Sequence, residues 1–221
     1  MLKLGLAAPE GVAGLRVLCL GAHADDIEIG AGGTLLRLLS EQRVAALCWV
    51  VFTSTPARIL EAEASARAWL AAARGGLAES QVRVLTFQDG LLPQSVPAVK
   101  QVFEELKAFQ PDLIFTHYRH DLHQDHRLLA DLTWNTFRSH LVLEYEIPKY
   151  DGDLGNPECF VELPADVLDR KVELLLTHFP SQAGKHWFDA ETFRALPRLR
   201  GMQAASAGRY AEAFYLRKLV L

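Results

Sequence analysis

Two short stretches hold the residue types that do chemistry. "LGAHADDIEIGAGGTLLRL" (20–38) ends an apolar run with His23, Asp25 and Asp26, then places three glycines in four positions. "HYRHDLHQDH" (117–126) carries His117, His120, His123 and His126, four of the chain's eight histidines. A buried charge costs several kcal/mol unless it is paired, so each stretch either forms a solvated turn or binds something. A catalytic zinc takes three ligands from His, Asp or Glu and keeps a fourth position open for water. His23 and Asp26 stand three apart, so a single turn after a strand can present both to one ion. His126, at the start of a following helix, supplies the third. Imidazole and carboxylate without thiolate favour Zn²⁺, Fe²⁺ or Mn²⁺. Asp25 then remains beside the ion as a base, able to take a proton from water whose pKa the ion has lowered.

Simpler explanations account for single features. A pair of aspartates after a strand is often a helix cap, and "GAGG" serves close helix–strand packing. A phosphate cradle is disfavoured, because G-x-G-x-x-G is not met and two aspartates would repel a diphosphate. Four histidines at three-residue spacing, facing a second His/Asp cluster, need more than a cap.

Positioning both clusters requires an alternation of strands and helices. "RVLCLGA" (16–22), "VAALCWVVFT" (44–53), "VRVLTF" (82–87) and "DLIFTH" (112–117) read as buried strands. Helical patterns follow each one: after residue 30, over 58–74, over 96–109 and over 125–140. The βα repeat predicts an α/β fold, a three-layer, mostly parallel, Rossmann-like sheet with helices on both faces. In such sheets ligands sit beyond the carboxyl ends of the strands, where both clusters fall. Further on, 141–150 reads as a strand ended by Pro148, 151–158 as a loop, 164–178 and 190–207 as helices, and the last residues as a strand. Pro197 and Gly201 are expected to interrupt the second helix.

The bulk properties narrow the class. Half of the 221 residues are hydrophobic, enough for one core, so residues 1–221 read as a single domain. A net charge of −4 argues against a nucleic-acid binder. No apolar run is long enough to span a bilayer, and Pro9, Glu10 and Arg16 interrupt the N-terminal stretch too early for a signal peptide. Cys19, Cys48 and Cys159 are odd in number and widely spaced, as expected of reduced thiols in a cytoplasmic protein.

"AHADDIEIGAGGTL" together with "DLHQDHR" resembles the LmbE-like, or PIG-L-type, family of zinc-dependent N-acetylglucosamine deacetylases. "FQDG" (87–90), "EASARAWLAA" (63–72) and "YAEAF" (210–214) resemble later family segments. The resemblance implies a metal held by His23, Asp26 and His126, Asp25 as general base, and His123 as a protonated imidazole steadying the tetrahedral intermediate. It implies an acidic substrate-side position at Asp89, with Asp121 and Asp125 orienting the ligand histidines. The activity implied is hydrolysis of the N-acetyl group of a small-molecule amino sugar or its conjugate by a zinc enzyme, with Fe²⁺ or another divalent metal as a substitute. Another small-molecule metallo-amidase or esterase on the same site is the alternative. A homo-oligomer is compatible with the family. Ala24 and Gln124 stand where the family usually has prolines, and Leu60 stands where many members have an arginine; Arg58 lies nearby but offset and is a candidate substrate contact.

Two segments are candidates for substrate contact. "LEYEIPKYDGDLGNPECF" (143–160) is aromatic, acidic and rich in turn residues, with Tyr145, Lys149, Asp151 and Asp153 as candidates in it. "SQAGKHWF" (181–188) offers Lys185, His186 and Trp187 to a sugar ring.

Overall fold

The structure is a computed structural model that describes residues 3–6, 14–41 and 43–220. Much of the N-terminal stretch read as lacking a signal peptide lies outside the described residues. Seven strands form one sheet: β1 Leu15–Gly21, β2 Val44–Thr53, β3 Glu79–Phe87, β4 Leu113–His117, β5 Leu141–Tyr145, β6 Cys159–Leu163 and β7 Tyr210–Leu216. Six helices accompany them: α1 Asp26–Ser40, α2 Pro56–Leu70, α3 Val96–Leu106, α4 Gln124–Thr136, α5 Ala165–His178 and α6 Ala190–Gln203. The strand order is β3-β2-β1-β4-β5-β7-β6. β1 to β5 pair in parallel, and β7 runs antiparallel to both β5 and β6.

Alternation along β1 explains the three layers. Val17 and Cys19 enter one apolar core with residues of α1, α2 and α5, while Leu18 and Leu20 enter a second with residues of α3 and α4. A strand buried on both faces reads as a near-continuous apolar run, and β1, β2 and β4 do, with polar Thr53, Thr116 and His117 at or near the carboxyl ends of β2 and β4. β1 and β4 are spatial neighbours although two βα units separate them in sequence. The order reverses there, and a crevice opens at the carboxyl ends of those two strands.

α1 lies close on the sheet because its glycines permit it. A Cβ on Gly30 would stand 2.2 Å from the Tyr145 ring, and one on Gly33 2.6 Å from Leu163. The helix is also gripped by charge. Lys171 of α5 donates to the Ile29 carbonyl at 2.6 Å and to Glu212 of β7 at 2.7 Å. Glu212 in turn accepts the amides of Gly33 and Thr34 at 2.8 and 2.7 Å.

Departures from the sequence reading fall in the last third. The strand expected over 141–150 ends at Tyr145, and β6 forms in a stretch not assigned to a strand. β6 is short and lies at the edge of the sheet, held by β7 alone. α6 runs unbroken through Pro197. Gly201 marks a close approach, since a Cβ there would lie 2.1 Å from the Arg209 carbonyl oxygen. All three cysteines are free thiols, and no helix among the described residues is long and apolar enough to cross a membrane.

Candidate metal centre and active site

The turn after β1 is clamped between its two neighbouring strands. The Ala22 amide donates to His117 Nε2 of β4 at 2.9 Å, and the Ala22 carbonyl accepts from the backbone and hydroxyl of Thr53 of β2, both at 2.8 Å. His23, Asp25 and Asp26 follow at once. Asp26 Oδ2 accepts the His23 amide at 2.7 Å, which closes the turn. Asp25 has φ of 100°, a left-handed conformation uncommon for a residue with a side chain. It precedes α1 without capping it; its carboxylate instead meets Arg58 Nη2 of α2 at 2.9 Å.

Opposite, the turn after β4 leads into α4, and His123 caps that helix by accepting the Asp125 amide at Nδ1. His126 Nδ1 lies 2.9 Å from Asp121 Oδ2, which also accepts from Lys149 Nζ at 2.8 Å. Asp121 Oδ1 accepts the His123 amide at 2.8 Å. Asp125, fully buried, accepts the amides of Gly90 and Leu92 at 2.7 and 3.1 Å, which fixes the loop carrying Asp89. His23 Nε2 then faces Asp89 at 3.0 Å and Asp125 at 3.3 Å.

These contacts assign the lone pairs. With His126 Nδ1 and His23 Nε2 turned to carboxylates, the free electron pairs of the neutral rings lie on His126 Nε2 and His23 Nδ1. Those nitrogens are 3.2 Å apart, and they stand 3.5 and 3.2 Å from Asp26 Oδ2. With both rings neutral, three acceptor atoms thus converge within 3.5 Å of one another. A tetrahedral ion with bonds of about 2.0–2.1 Å has ligand–ligand edges of roughly 3.3 Å, so the three atoms fit the face of such a site. His117 also comes within reach of Asp26 and His126, but its Nε2 already accepts the Ala22 amide.

The charge balance agrees with that fit. Arg58 pairs with Asp25 and Lys149 with Asp121, while Asp26 and Asp125 have no Lys or Arg ion-pair partner among the described residues. Burial works to lower the His23 and His126 pKa values. Asp26 and the hydrogen-bonded carboxylates overcome it, raising His126 and carrying His23 well above its ordinary value. The same surroundings that hold a proton there attract a dication, which competes with it. Burial resists ionisation of Asp26, yet His126, His117 and His23 hold it well below the ordinary carboxylate range. Asp25 is pushed up to about 7, by burial first, against the pull of Arg58.

The structure brings together His23, Asp26 and His126, with Asp25 beside them and the His123 ring 4.7 Å from His23 and 4.6 Å from His126. Asp121 and Asp125 hold the ligand-type histidines, and Asp89 stands 72% exposed at the rim. One substrate-side expectation, Tyr145, changes, and the structure gives the surroundings of Arg58 and Lys185. Tyr145 is fully buried, donating to the Leu20 carbonyl at 2.7 Å, so it supports the site from beneath and cannot touch a substrate. Arg58 is engaged with the Asp25 carboxylate. Lys185 stands 5.4 Å over the Trp187 ring and has no hydrogen bond or ion pair to the cluster among the described residues. His123 also differs from the protonated form expected: burial, then His126 and His23, lower its pKa. Its capped Nδ1 leaves the proton of the neutral ring on Nε2. Sequence reasoning gave no role to His117, whose place as the last residue of an apolar strand was the available signal.

Residues 18–137 match the family model described as PIG-L, GlcNAc-PI de-N-acetylase. Among solved structures, the chain is similar to N,N'-diacetylchitobiose deacetylase from Pyrococcus horikoshii (TM-score 0.70, 21% identity, covering 91% of this chain and 83% of that one). It is similar to GalB, the 4-carboxy-2-hydroxymuconate hydratase of Pseudomonas putida KT2440 (TM-score 0.72, 17% identity, 94% and 98%). It is also similar to the zinc-inhibited form of the teicoplanin deacetylase Orf2 (TM-score 0.67, 15% identity, 91% and 97%). At these identities the likeness establishes a shared fold.

Proposed function

The chain belongs to the PIG-L family of GlcNAc-PI de-N-acetylases, and from that premise we propose that it hydrolyses the N-acetyl group of an amino sugar or amino-sugar conjugate in a metal-dependent reaction. A hydratase on the same fold shows that architecture alone does not select a reaction; the site must. The observation that carries the reading is the convergence of His23 Nδ1, His126 Nε2 and Asp26 Oδ2 within 3.5 Å of one another. Imidazole and carboxylate donors suit Zn²⁺ first, with Fe²⁺ or Mn²⁺ as substitutes. Bound there, such an ion would supply Lewis acidity to the acetamide carbonyl and acidify water in its open position.

The chain's own residues supply the rest. Asp25, with a pKa near neutrality, takes the proton of the attacking water at its carboxylate and returns it to the departing nitrogen. Arg58 fixes one Asp25 oxygen and leaves the other for that transfer. His123 donates from Nε2 to the oxygen that becomes negative, a contact worth about 10²–10³ in rate. It needs no second proton for this, because the Asp125 amide occupies its other nitrogen. The products are acetate and a free amine.

Metal analysis of protein purified without chelator, paired with a fluorescamine assay over N-acetylated sugars, tests the reading. About one divalent ion per chain and amine release that a chelator abolishes are expected. Metal-free protein with intact histidines, or chelator-resistant turnover, overturns it.

A further inference from the structure

Carboxylates crowd the reacting centre, and two basic side chains ion-pair with them among the described residues. Asp25 meets Arg58 and Asp121 meets Lys149. Asp26 faces histidines, Asp125 takes backbone amides, and Asp89 meets His23 at the rim. Arg127 gives its Nη1 to the backbone carbonyls of Asp121 and Leu122.

The Lys149 ammonium is held rather than offered. It donates to Asp121 Oδ2 at 2.8 Å, to Asp153 at 2.7 Å and to the Ile147 carbonyl at 3.4 Å, three acceptors for three protons. The candidate substrate contact of the sequence is therefore already engaged. Its side chain is 12% exposed, so water and salt screen the charge only in part. Asp121 Oδ2 is also the atom 2.9 Å from His126 Nδ1, while Asp121 Oδ1 takes the His123 amide at 2.8 Å. Lys149 thus stands directly behind the carboxylate that backs a ligand-type histidine. Such a carboxylate raises the basicity of the imidazole it holds. A cation on the same oxygen opposes that rise, and its charge repels a dication in the cluster.

We infer that Lys149 is a positioning residue that holds Asp121 against His126 and limits the negative charge delivered to the centre, weakening the grip on a divalent ion while leaving that ion a stronger Lewis acid. The effect on rate rests on the metal-dependent deacetylase reading, and the effect on affinity rests on charge placement alone.

Two substitutions in the same network shift its charge in opposite directions. Lys149→Gln removes a positive charge and keeps a donor for Asp121. Asp153→Asn removes a negative charge and keeps an acceptor for Lys149 and for the Leu122 amide. Zn²⁺ affinity is read on the full chain, stripped of metal, in competition with a chromophoric chelator. It is expected to rise about tenfold in Lys149→Gln and to fall about threefold in Asp153→Asn, with the double variant near wild type. A network that only tethers the loop would weaken zinc binding in both single variants. Weaker or unchanged binding in Lys149→Gln therefore overturns the inference. Where Lys149→Gln folds poorly, the double variant is compared with Asp153→Asn: tighter binding is expected, and equal or weaker binding overturns it. The second readout is turnover of an N-acetylated sugar. Zinc-loaded Lys149→Gln should lose about threefold to tenfold in kcat at nearly unchanged KM, and Lys149→Arg should keep most of the wild-type kcat. Tighter zinc with undiminished kcat overturns the Lewis-acid half. If wild-type protein binds zinc but deacetylates no sugar, the deacetylase reading fails and the affinity comparison still decides the role of Lys149. Wild-type protein that binds no zinc overturns both.

Discussion

Two regions of this molecule bury charge around α1, and they do so in opposite ways. On the flank facing α5 and β7, Lys171 meets Glu212, and Glu212 takes two helix amides. Nearby, Arg200 forms a two-pronged pair with Glu146 and donates again to the Gly155 carbonyl and Gln203. Donors and acceptors match, and nothing more is needed. At the N-terminal end of the same helix, His23 Nδ1, His126 Nε2 and Asp26 Oδ2 crowd within 3.5 Å of one another, and Asp26 and Asp125 have no Lys or Arg partner among the described residues. Burial and charge are alike in both regions; what differs is donor–acceptor balance. A closed network holds the fold, and a network short of a cation marks a place for one.

The largest effects should come from the unbalanced end. Asp26→Ala is expected to lose both metal and turnover. Asp25→Asn should keep the metal yet lose about 10²–10⁴ in rate, because an amide cannot accept the proton. Metal analysis beside the amine assay separates the two, and near-normal turnover in Asp25→Asn would remove the assigned base.

The balanced flank should respond through stability. Lys171→Met strands Glu212 and is expected to cost about 3–5 kcal/mol in chemical denaturation, with Lys171→Met/Glu212→Gln recovering much of it. A variant that stays folded but arrives without metal would show that the two regions are one unit.

Asp121→Asn probes the link between His126 and Lys149. It should weaken metal affinity about 10–100-fold through His126 while leaving the fold intact, as competition with a chromophoric chelator would read.

The smallest effect concerns Glu28, buried between the regions. One oxygen accepts from Ser65 at 2.6 Å and the other has no hydrogen-bond partner among the described residues. Burial pushes its pKa up to about 8. The folded chain therefore holds a proton that the unfolded chain has released, from the ordinary carboxylate range up to about pH 8. Stability is full below that window and falls as pH rises through it. In chelator-treated protein, Glu28→Gln should flatten this decline and melt higher than wild type at pH 8.5. An unchanged slope would mean that Glu28 is ionised and has found a partner.

Sequence alone revealed the four βα units, because short continuous apolar runs mark strands buried on both faces and a period of 3.6 marks the helices that cover them. It also revealed His23, Asp26 and His126, since ligand types at strand ends are read without knowing the packing. Tyr145 misled because it ends an apolar strand next to a turn-rich segment; only the register against β4 and the gap left by Gly30 place its ring under α1. Lys171 and Glu212 were invisible, being a helix and a strand residue whose meeting depends on how α5 docks. Arg58 was assigned to substrate because a sequence shows neither the length of its reach nor the carboxylate it meets first.

The left-handed backbone at Asp25 has an evolutionary corollary. Glycine adopts that conformation without steric penalty, and asparagine tolerates it better than most residues. Replacing the carboxylate with either should ease the turn at the loss of the Arg58 ion pair, while turnover falls by about 10²–10⁴. A laboratory lineage selected for heat resistance alone would be free to drift away from aspartate at this position. Retaining it requires that each generation also be screened for catalysis, since here durability and activity favour different residues.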